Sequence, residues 1–160
     1  MRPTNKVRHL TITLLLGVGA LITAQAESAG PVPPVLTKYQ QECAACHVAY
    51  PPGLLPATSW QRLMGGLSKH YGVDASLEAN SLREISGWLK THAGPFKRGV
   101  EEPPQDRITK SAWFMRKHNE HEVAPAVWKR TAVGSPANCA ACHSNAAQGN
   151  FNERDIRIPK

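Results

Sequence analysis

The sequence predicts a small, mainly α-helical protein in which two modules are joined by a proline-rich segment. Apolar residues recur every three or four positions in several stretches, as they do along one face of an α-helix. No strand-rich pattern surrounds the cysteines. The same five-residue motif, Cys-Ala-Ala-Cys-His, occurs twice, at 43–47 and at 139–143. A module around each motif is therefore the expected organisation.

Each motif has the C-x-x-C-H pattern of c-type haem attachment. Two thiols three positions apart lie on one face of a helical turn, where they can form thioether bonds to the vinyl groups of one porphyrin. The next residue, His47 or His143, then offers an imidazole to the iron. The sequence thus predicts two covalently bound haem c groups, attached through Cys43, Cys46, Cys139 and Cys142.

Zinc binding and dithiol chemistry are the alternatives for a C-x-x-C pair. A zinc ribbon places its two pairs about 15–20 residues apart, and a thioredoxin-like pair sits in a βαβ context. The two pairs here are much further apart, and all four cysteines of the chain belong to the two C-x-x-C-H motifs. Haem attachment is therefore the preferred interpretation.

Residues 1–26 are predicted to be a signal peptide. Three basic residues are followed by the apolar run 10–22 and by Ala24-Gln25-Ala26, an A-x-A cleavage site. A retained anchor is the alternative, but the run is short for a span, which needs about 20 residues. Because c-type haem is attached outside the bacterial cytoplasm, we expect a periplasmic protein of a Gram-negative bacterium.

The basic composition does not indicate a nucleic-acid partner. The formal net charge is +7, but three of the basic residues lie in the leader and haem propionates would offset more. No basic stripe interleaved with aromatic residues is present. The pairs at 97–98, 116–117 and 129–130 could instead favour an acidic protein surface.

Residues 27–95 are expected to form the N-terminal haem module. After a proline-rich lead-in at 27–36, a helix at 37–48 carries the first motif. Ser59 is expected to cap a second helix, whose apolar stripe runs from Trp60 to His70 and Tyr71 before Gly72 ends it. His70 ends this stripe, where an iron ligand is expected.

A third helix is predicted from Ser81, which forms a capping box with Glu84. Its inner face ends at His92, which is a rival to His70. We rank His92 lower because a histidine in the last turn can simply interact with the helix C-terminus.

Residues 96–108 are predicted to be a linker, and 109–160 the C-terminal haem module. A helix starting at Thr109 or Ser111 places His118 and His121 on one face with Phe114. His121 lies between two glutamates, which favours a solvated side chain. Ser135-Pro136 is expected to start the helix that carries the second motif, and the tail to be irregular with a short extended piece at 156–158.

Each iron needs a second axial ligand to transfer electrons without binding substrate. Met64 and Met115 lie in apolar helical patterns, where methionine usually fills a core. The histidines outside the motifs and leader suffice for bis-His ligation of both irons. We predict His70 for the first haem and His118 for the second, with a crossed arrangement left open.

The sequence resembles the small periplasmic dihaem cytochrome c family of proteobacteria. The resemblance lies in the YPPGLLP loop after the first motif, in W-x-x-L-M-x-x-L-x-x-H-x-G, in I-T-x-x-x-W-F-x-x-x-H and in the second motif. It implies bis-His ligation through His70 and His118. It also implies an oxygen-binding monohaem cytochrome c as a partner, with a membrane b-type cytochrome upstream.

The expected function is electron transfer rather than catalysis. Haems with two protein ligands exchange electrons without a substrate pocket or a catalytic base. The alternatives are a haem-based gas or ligand sensor and a small dihaem peroxidase-like enzyme. Both need one open iron, and therefore need His70 or His118 to be away from it.

Overall fold

The computed structural model describes residues 37–94 and 102–160. This part of the chain has four α-helices: α1 (Thr37–Cys43), α2 (Ala57–Gly65), α3 (Ala79–His92) and α4 (Ala112–Lys117). Eight single 3-10 turns accompany them: Pro52–Leu54, Leu67–Lys69, Pro104–Asp106, Ile108–Lys110, Val127–Lys129, Cys139–Ala141, Ala146–Gln148 and Glu153–Asp155.

The mainly helical fold class is confirmed. No strand occurs within the described ranges, and the only bridges there are the isolated pairs His70–Val73 and His143–Ile156. The predicted signal peptide, the lead-in at 27–36, the last residue of the predicted N-terminal module (95) and part of the linker (96–101) lie outside the described residues. The division into two haem modules remains a prediction.

A core forms where α1, α2 and α3 meet. The indole of Trp60 lies in it and donates to the carbonyl oxygen of Pro52 at 2.7 Å, so the polar atom of this large ring is satisfied. The buried apolar members of the core are Tyr39, Leu55, Trp60, Met64, Ile85 and Leu89. This core supports both segments that lead to the first histidine pair described below.

Two of the predicted helices in this part are shorter than expected. α1 ends at Cys43, so the first motif continues into a turn. α2 begins after Pro56, with Ser59 buried inside it, and ends at Gly65. Two consecutive glycines, Gly65 and Gly66, weaken the helix at this point because glycine loses the most backbone freedom on ordering.

The third predicted helix has the expected end but a different start. α3 begins at Ala79, and the Glu78 side chain caps it by accepting from the backbone N–H groups of Asn80 (2.8 Å) and Ser81 (3.2 Å). Ser81 lies within the first turn. The helix ends at His92, as predicted.

The C-terminal part has less regular structure than predicted. Ser111 caps α4 through its hydroxyl, which accepts from the N–H of Phe114 at 3.1 Å, so this start is confirmed. The helix predicted after Ser135 is absent; the second motif forms a 3-10 turn. Just before this turn, the side-chain amide of Asn138 donates to the backbone carbonyl of Val133 at 3.0 Å. Such local bonds from side chains to the backbone disfavour a helix.

Arg62 links α2 to the chain after residue 101. Its guanidinium group donates to both carboxylate oxygens of Asp106 (2.9 and 2.6 Å) and to Glu102 (2.8 Å). The Thr58 hydroxyl also donates to Glu102. A bidentate arginine–carboxylate pair fixes orientation as well as charge.

The Arg62–Asp106 pair predicts how stability depends on pH. The hydrogen bond from Arg62 lowers the pKa of Asp106 in the folded protein. The ionised Asp106 therefore stabilises the fold above the ordinary aspartate pKa, and this stabilisation is lost as the pH falls through the lowered pKa. We expect Arg62→Gln to return the Asp106 pKa towards its ordinary value, as measured by carboxyl ¹³C NMR. Lys117→Gln, which breaks the separate pair with Glu153 (2.9 Å), should leave the Asp106 titration unchanged.

Candidate haem sites

The first histidine pair consists of the motif histidine His47 and the more distant His70. The ring centroids of His47 and His70 lie 6.3 Å apart, and their planes are inclined by 25°. His47 follows α1, and His70 follows the 3-10 turn Leu67–Lys69 beyond α2. The core among the helices therefore positions both rings.

The ring of His47 is oriented by residues that follow it closely in the sequence. Its Nδ1 lies 2.8 Å from the carbonyl oxygen of Val48, so this nitrogen can donate its proton there and leave Nε2 as the free lone pair. The ring of Tyr50 stacks on it at 4.8 Å. These two contacts fix the tautomer and the orientation of the ring, as outer partners of metal-binding histidines commonly do.

Tyr71 holds the chain beside His70 in an unusual conformation. Its φ of 49° lies in the left-handed region that non-glycine residues rarely adopt. The Tyr71 hydroxyl donates to the carbonyl of Gln105 at 3.0 Å, and the Arg107 guanidinium carbon lies 4.0 Å from the ring centroid. These long-range contacts stabilise the turn that presents His70.

The second histidine pair has a similar separation but a different mutual orientation. The centroids of His118 and His143 lie 6.1 Å apart, and their planes are inclined by 66°. His118 directly follows α4, with Nδ1 3.1 Å from the carbonyl of Phe114 and its ring stacked on the Phe114 ring at 4.0 Å. The ring of Phe151 packs edge-on against His143 at 5.3 Å.

Both separations fit one iron between two imidazoles. A nitrogen ligand lies about 2 Å from a first-row metal ion and the ring centroid roughly 1 Å further, which gives roughly 6 Å between centroids. Nδ1 of His70 and Nδ1 of His143 are buried and have no hydrogen-bond partner among the described residues. Buried polar atoms without a hydrogen-bond partner are rare in proteins. Their presence here suits rings that interact with a group that is not part of the polypeptide.

The protonation of these rings also suits metal binding. Burial lowers the pKa of both His70 and His143 below the ordinary histidine value. The rings are therefore neutral near pH 7, which is the form that binds a metal ion.

Three of the four cysteines lie in environments that disfavour the thiolate form. Burial raises the pKa of Cys43 to about 11 and also raises the pKa of Cys139 and Cys142. Redox-active cysteines instead have lowered pKa values. In the part of the chain that the structure describes, no three metal-ligating side chains gather at one point.

The other candidate iron ligands are not part of either histidine pair. His92 stacks on Trp88 and has Nδ1 2.8 Å from the Trp88 carbonyl, as expected for a histidine at a helix C-terminus. His121 is exposed and lies beyond the end of α4, so the predicted shared face with His118 is wrong. Met64 is in the core, and Met115 is 58% exposed.

Residues 39–151 match the sequence family described as dihaem cytochrome c. The chain belongs to the dihaem cytochrome c family. It therefore carries two haem c groups and is a haem-containing electron-transfer protein, and the spacing of Cys43 with Cys46 and of Cys139 with Cys142 suits covalent attachment. The individual iron ligands stay predictions.

Solved structures of other dihaem cytochromes c resemble this cytochrome along most of their length. One from Shewanella baltica is 35% identical, covers 77% of this chain and 92% of its own, and has a TM-score of 0.66. One from Rhodobacter sphaeroides is 42% identical with coverages of 74% and 100% and a TM-score of 0.63. A second from that organism is 41% identical, with 73% and 98% covered and a TM-score of 0.63. No curated protein matched significantly.

The described ranges contain no helix long and apolar enough to cross a bilayer.

The sequence patterns predicted no role at the sites for Tyr50, Tyr71 or Arg107, although Tyr71 lies on the predicted stripe of the second helix and Tyr50 begins the YPPGLLP loop. A signal for Tyr50 was present in its position directly before Pro51, where the backbone is restricted to extended conformations. The partners of Tyr71 lie over thirty residues later, so no local pattern indicates them.

Proposed function

We propose that this cytochrome is a periplasmic electron carrier in which two histidines ligate each iron. His47 and His70 would serve the first haem, and His143 and His118 the second. The observation that supports this most directly is the occurrence of two imidazole pairs, each with centroids about 6 Å apart. The pairing favours the arrangement by sequence proximity over the crossed one.

The polypeptide contributes ligation, burial and orientation, while haem supplies reversible one-electron chemistry. Backbone carbonyls fix the tautomers of His47 and His118, and aromatic rings pack against both pairs. With two protein ligands on each iron, electrons enter and leave without exchange of ligands. This favours a carrier over an enzyme or a gas sensor, both of which need an open iron.

The proposed compartment and partners extend this function. The leader at 1–26 supports export to the periplasm. The proposed electron acceptor is a soluble oxygen-binding monohaem cytochrome c, with a membrane b-type cytochrome as the donor. Basic side chains at Arg116 and Lys117, beside His118, would suit an acidic surface on such a partner.

The interplanar angles predict two different low-spin signals in the electron paramagnetic resonance spectrum of the oxidised protein. Nearly parallel imidazoles, as at the first pair (25°), split the iron d orbitals that interact with both rings, which gives a rhombic signal. Steeply inclined rings, as at the second pair (66°), largely cancel this splitting and give a signal with one dominant feature at low field. We expect both signals in equal amounts.

Carbon monoxide provides the matching test on the reduced protein. A carrier with both irons closed should show no change in its absorption spectrum. A high-spin signal in the oxidised protein, or rapid binding of carbon monoxide, would favour the sensor or enzyme. A near-infrared band from methionine ligation would contradict the histidine assignment.

A further inference from the structure

Tyr50 contacts both haem sites. Its ring stacks on His47 of the first pair, with centroids 4.8 Å apart and planes inclined by 24°. Its hydroxyl donates to the carbonyl oxygen of Ala137 at 2.7 Å. Ala137 begins the second attachment segment, which we define as residues 137–143 and which includes Cys139 and His143.

The contact continues into a haem-attaching cysteine. The carbonyl of Ala137 also accepts from the backbone N–H of Cys139 at 3.0 Å. A continuous series of contacts therefore runs from the His47 ring through Tyr50 to the backbone of Cys139. Within the described ranges, no other hydrogen bond joins residues 37–94 to the chain beyond residue 107.

The backbone of Tyr50 is held rigidly. Its carbonyl oxygen accepts from the hydroxyl of Tyr39, which is a core residue, at 2.6 Å. Pro51 follows directly and restricts Tyr50 to extended conformations. Little conformational freedom remains to be lost when the hydroxyl meets Ala137, which favours a positioning role over an incidental contact.

We propose that Tyr50 is a positioning residue that holds the second attachment segment against the first haem site, and thereby sets the rate of electron exchange between the two haems. The inference rests on the proposed function, since it takes His47 as an iron ligand. In this exchange one electron leaves the ferrous iron of one haem and reduces the ferric iron of the other. Tyr50 keeps its proton, and no further oxidant or reductant is required.

The test compares two conservative variants of the intact protein with both haems attached. Tyr50→Phe keeps the ring on His47 and removes only the bond to Ala137. Thr58→Val is the matched control, because the Thr58 hydroxyl also donates to a residue distant in the sequence, the carboxylate of Glu102. The control thus loses a long-range hydroxyl bond on α2 without altering a histidine pair or the second attachment segment.

The first readout is hydrogen exchange of the Cys139 amide, followed by NMR in the fully reduced, diamagnetic protein. Loss of one hydrogen bond should increase local opening of the second attachment segment and speed this exchange about threefold in Tyr50→Phe. Thr58→Val should match the wild type.

The second readout is electron exchange between the haems, measured by two-dimensional exchange NMR on the half-reduced protein. A small displacement of the second site should slow it by about threefold or more in Tyr50→Phe, since rates that depend on orbital overlap fall steeply with misplacement. The control should again keep the wild-type rate.

A third readout needs no variant. In the wild type, we expect nuclear Overhauser cross-peaks between the ring protons of Tyr50 and residue 137, and their absence would overturn the proposal. So would a Tyr50→Phe protein that matches the wild type in both exchange measurements, or a Thr58→Val protein with equal changes. If the ligand assignment itself fails, the wild-type spectra will lack bis-His signals, so the two failures can be told apart.

Discussion

Replacing His70 with alanine should open one axial position on the first haem and leave the second haem unchanged. The thioether bonds and His47 would still hold the first haem, but the imidazole 6.3 Å across from His47 would be gone. We expect the rhombic low-spin signal to give way to a high-spin one. The reduced variant should bind about one carbon monoxide per protein, because one of its two irons is open.

His118→Ala should have the same effect at the other site, removing the signal of the steeply inclined pair. His92→Ala and His121→Ala are the controls, since neither ring faces a second histidine. These two variants should keep both low-spin signals and bind no carbon monoxide. If His70→Ala instead removed the signal assigned to the second site, the crossed pairing of histidines would be correct.

Ile85→Ala should lower the free energy of unfolding by about 2–5 kcal/mol, the usual cost of a buried isoleucine-to-alanine change. Ile85 is 0% exposed and lies on α3 within the core shared with α1 and α2. The lost methyl groups leave a cavity that the packed neighbours fill only in part. Equilibrium denaturation of the protein with its haems attached measures the change.

Two other substitutions calibrate this result. Ile85→Val keeps most of the volume and should cost about 0.5–1.5 kcal/mol, while Lys90→Ala on the exposed face of α3 should stay within about 0.5 kcal/mol. An Ile85→Ala cost no larger than that of Ile85→Val would contradict the core described above. The haem spectra should be retained in all three variants, because none of the altered side chains belongs to a histidine pair.

The chemistry of the sites was accessible from local sequence. The spacing within each motif reflects the reach of two thiols to one porphyrin, and this needs no tertiary information. The second histidine of each pair could be selected from the sequence because each follows a helix with an apolar face, even though both helices end earlier than expected. The helical face predicted to hold both His118 and His121 is not formed, because α4 ends at Lys117.

The remaining features depend on contacts that are distant in the sequence. The left-handed Tyr71 is stabilised by Gln105 and Arg107, and Tyr50 reaches Ala137 across 87 positions. The turn at the second motif reflects side chains that bond to nearby backbone groups, which helical periodicity does not register. Sequence patterns therefore indicated which histidines to consider as ligands, but not the contacts between distant parts of the chain.

The aromatic packing around the second histidine pair has a consequence for how the protein matures. The described chain after residue 101 has a single α-helix and few buried apolar side chains, of which Phe114 stacks directly on His118. The Trp128 and Phe151 rings also face this pair. In this part of the protein, we expect the porphyrin to supply much of the apolar surface that the side chains do not. Covalent attachment would then be a folding step as well as a chemical one.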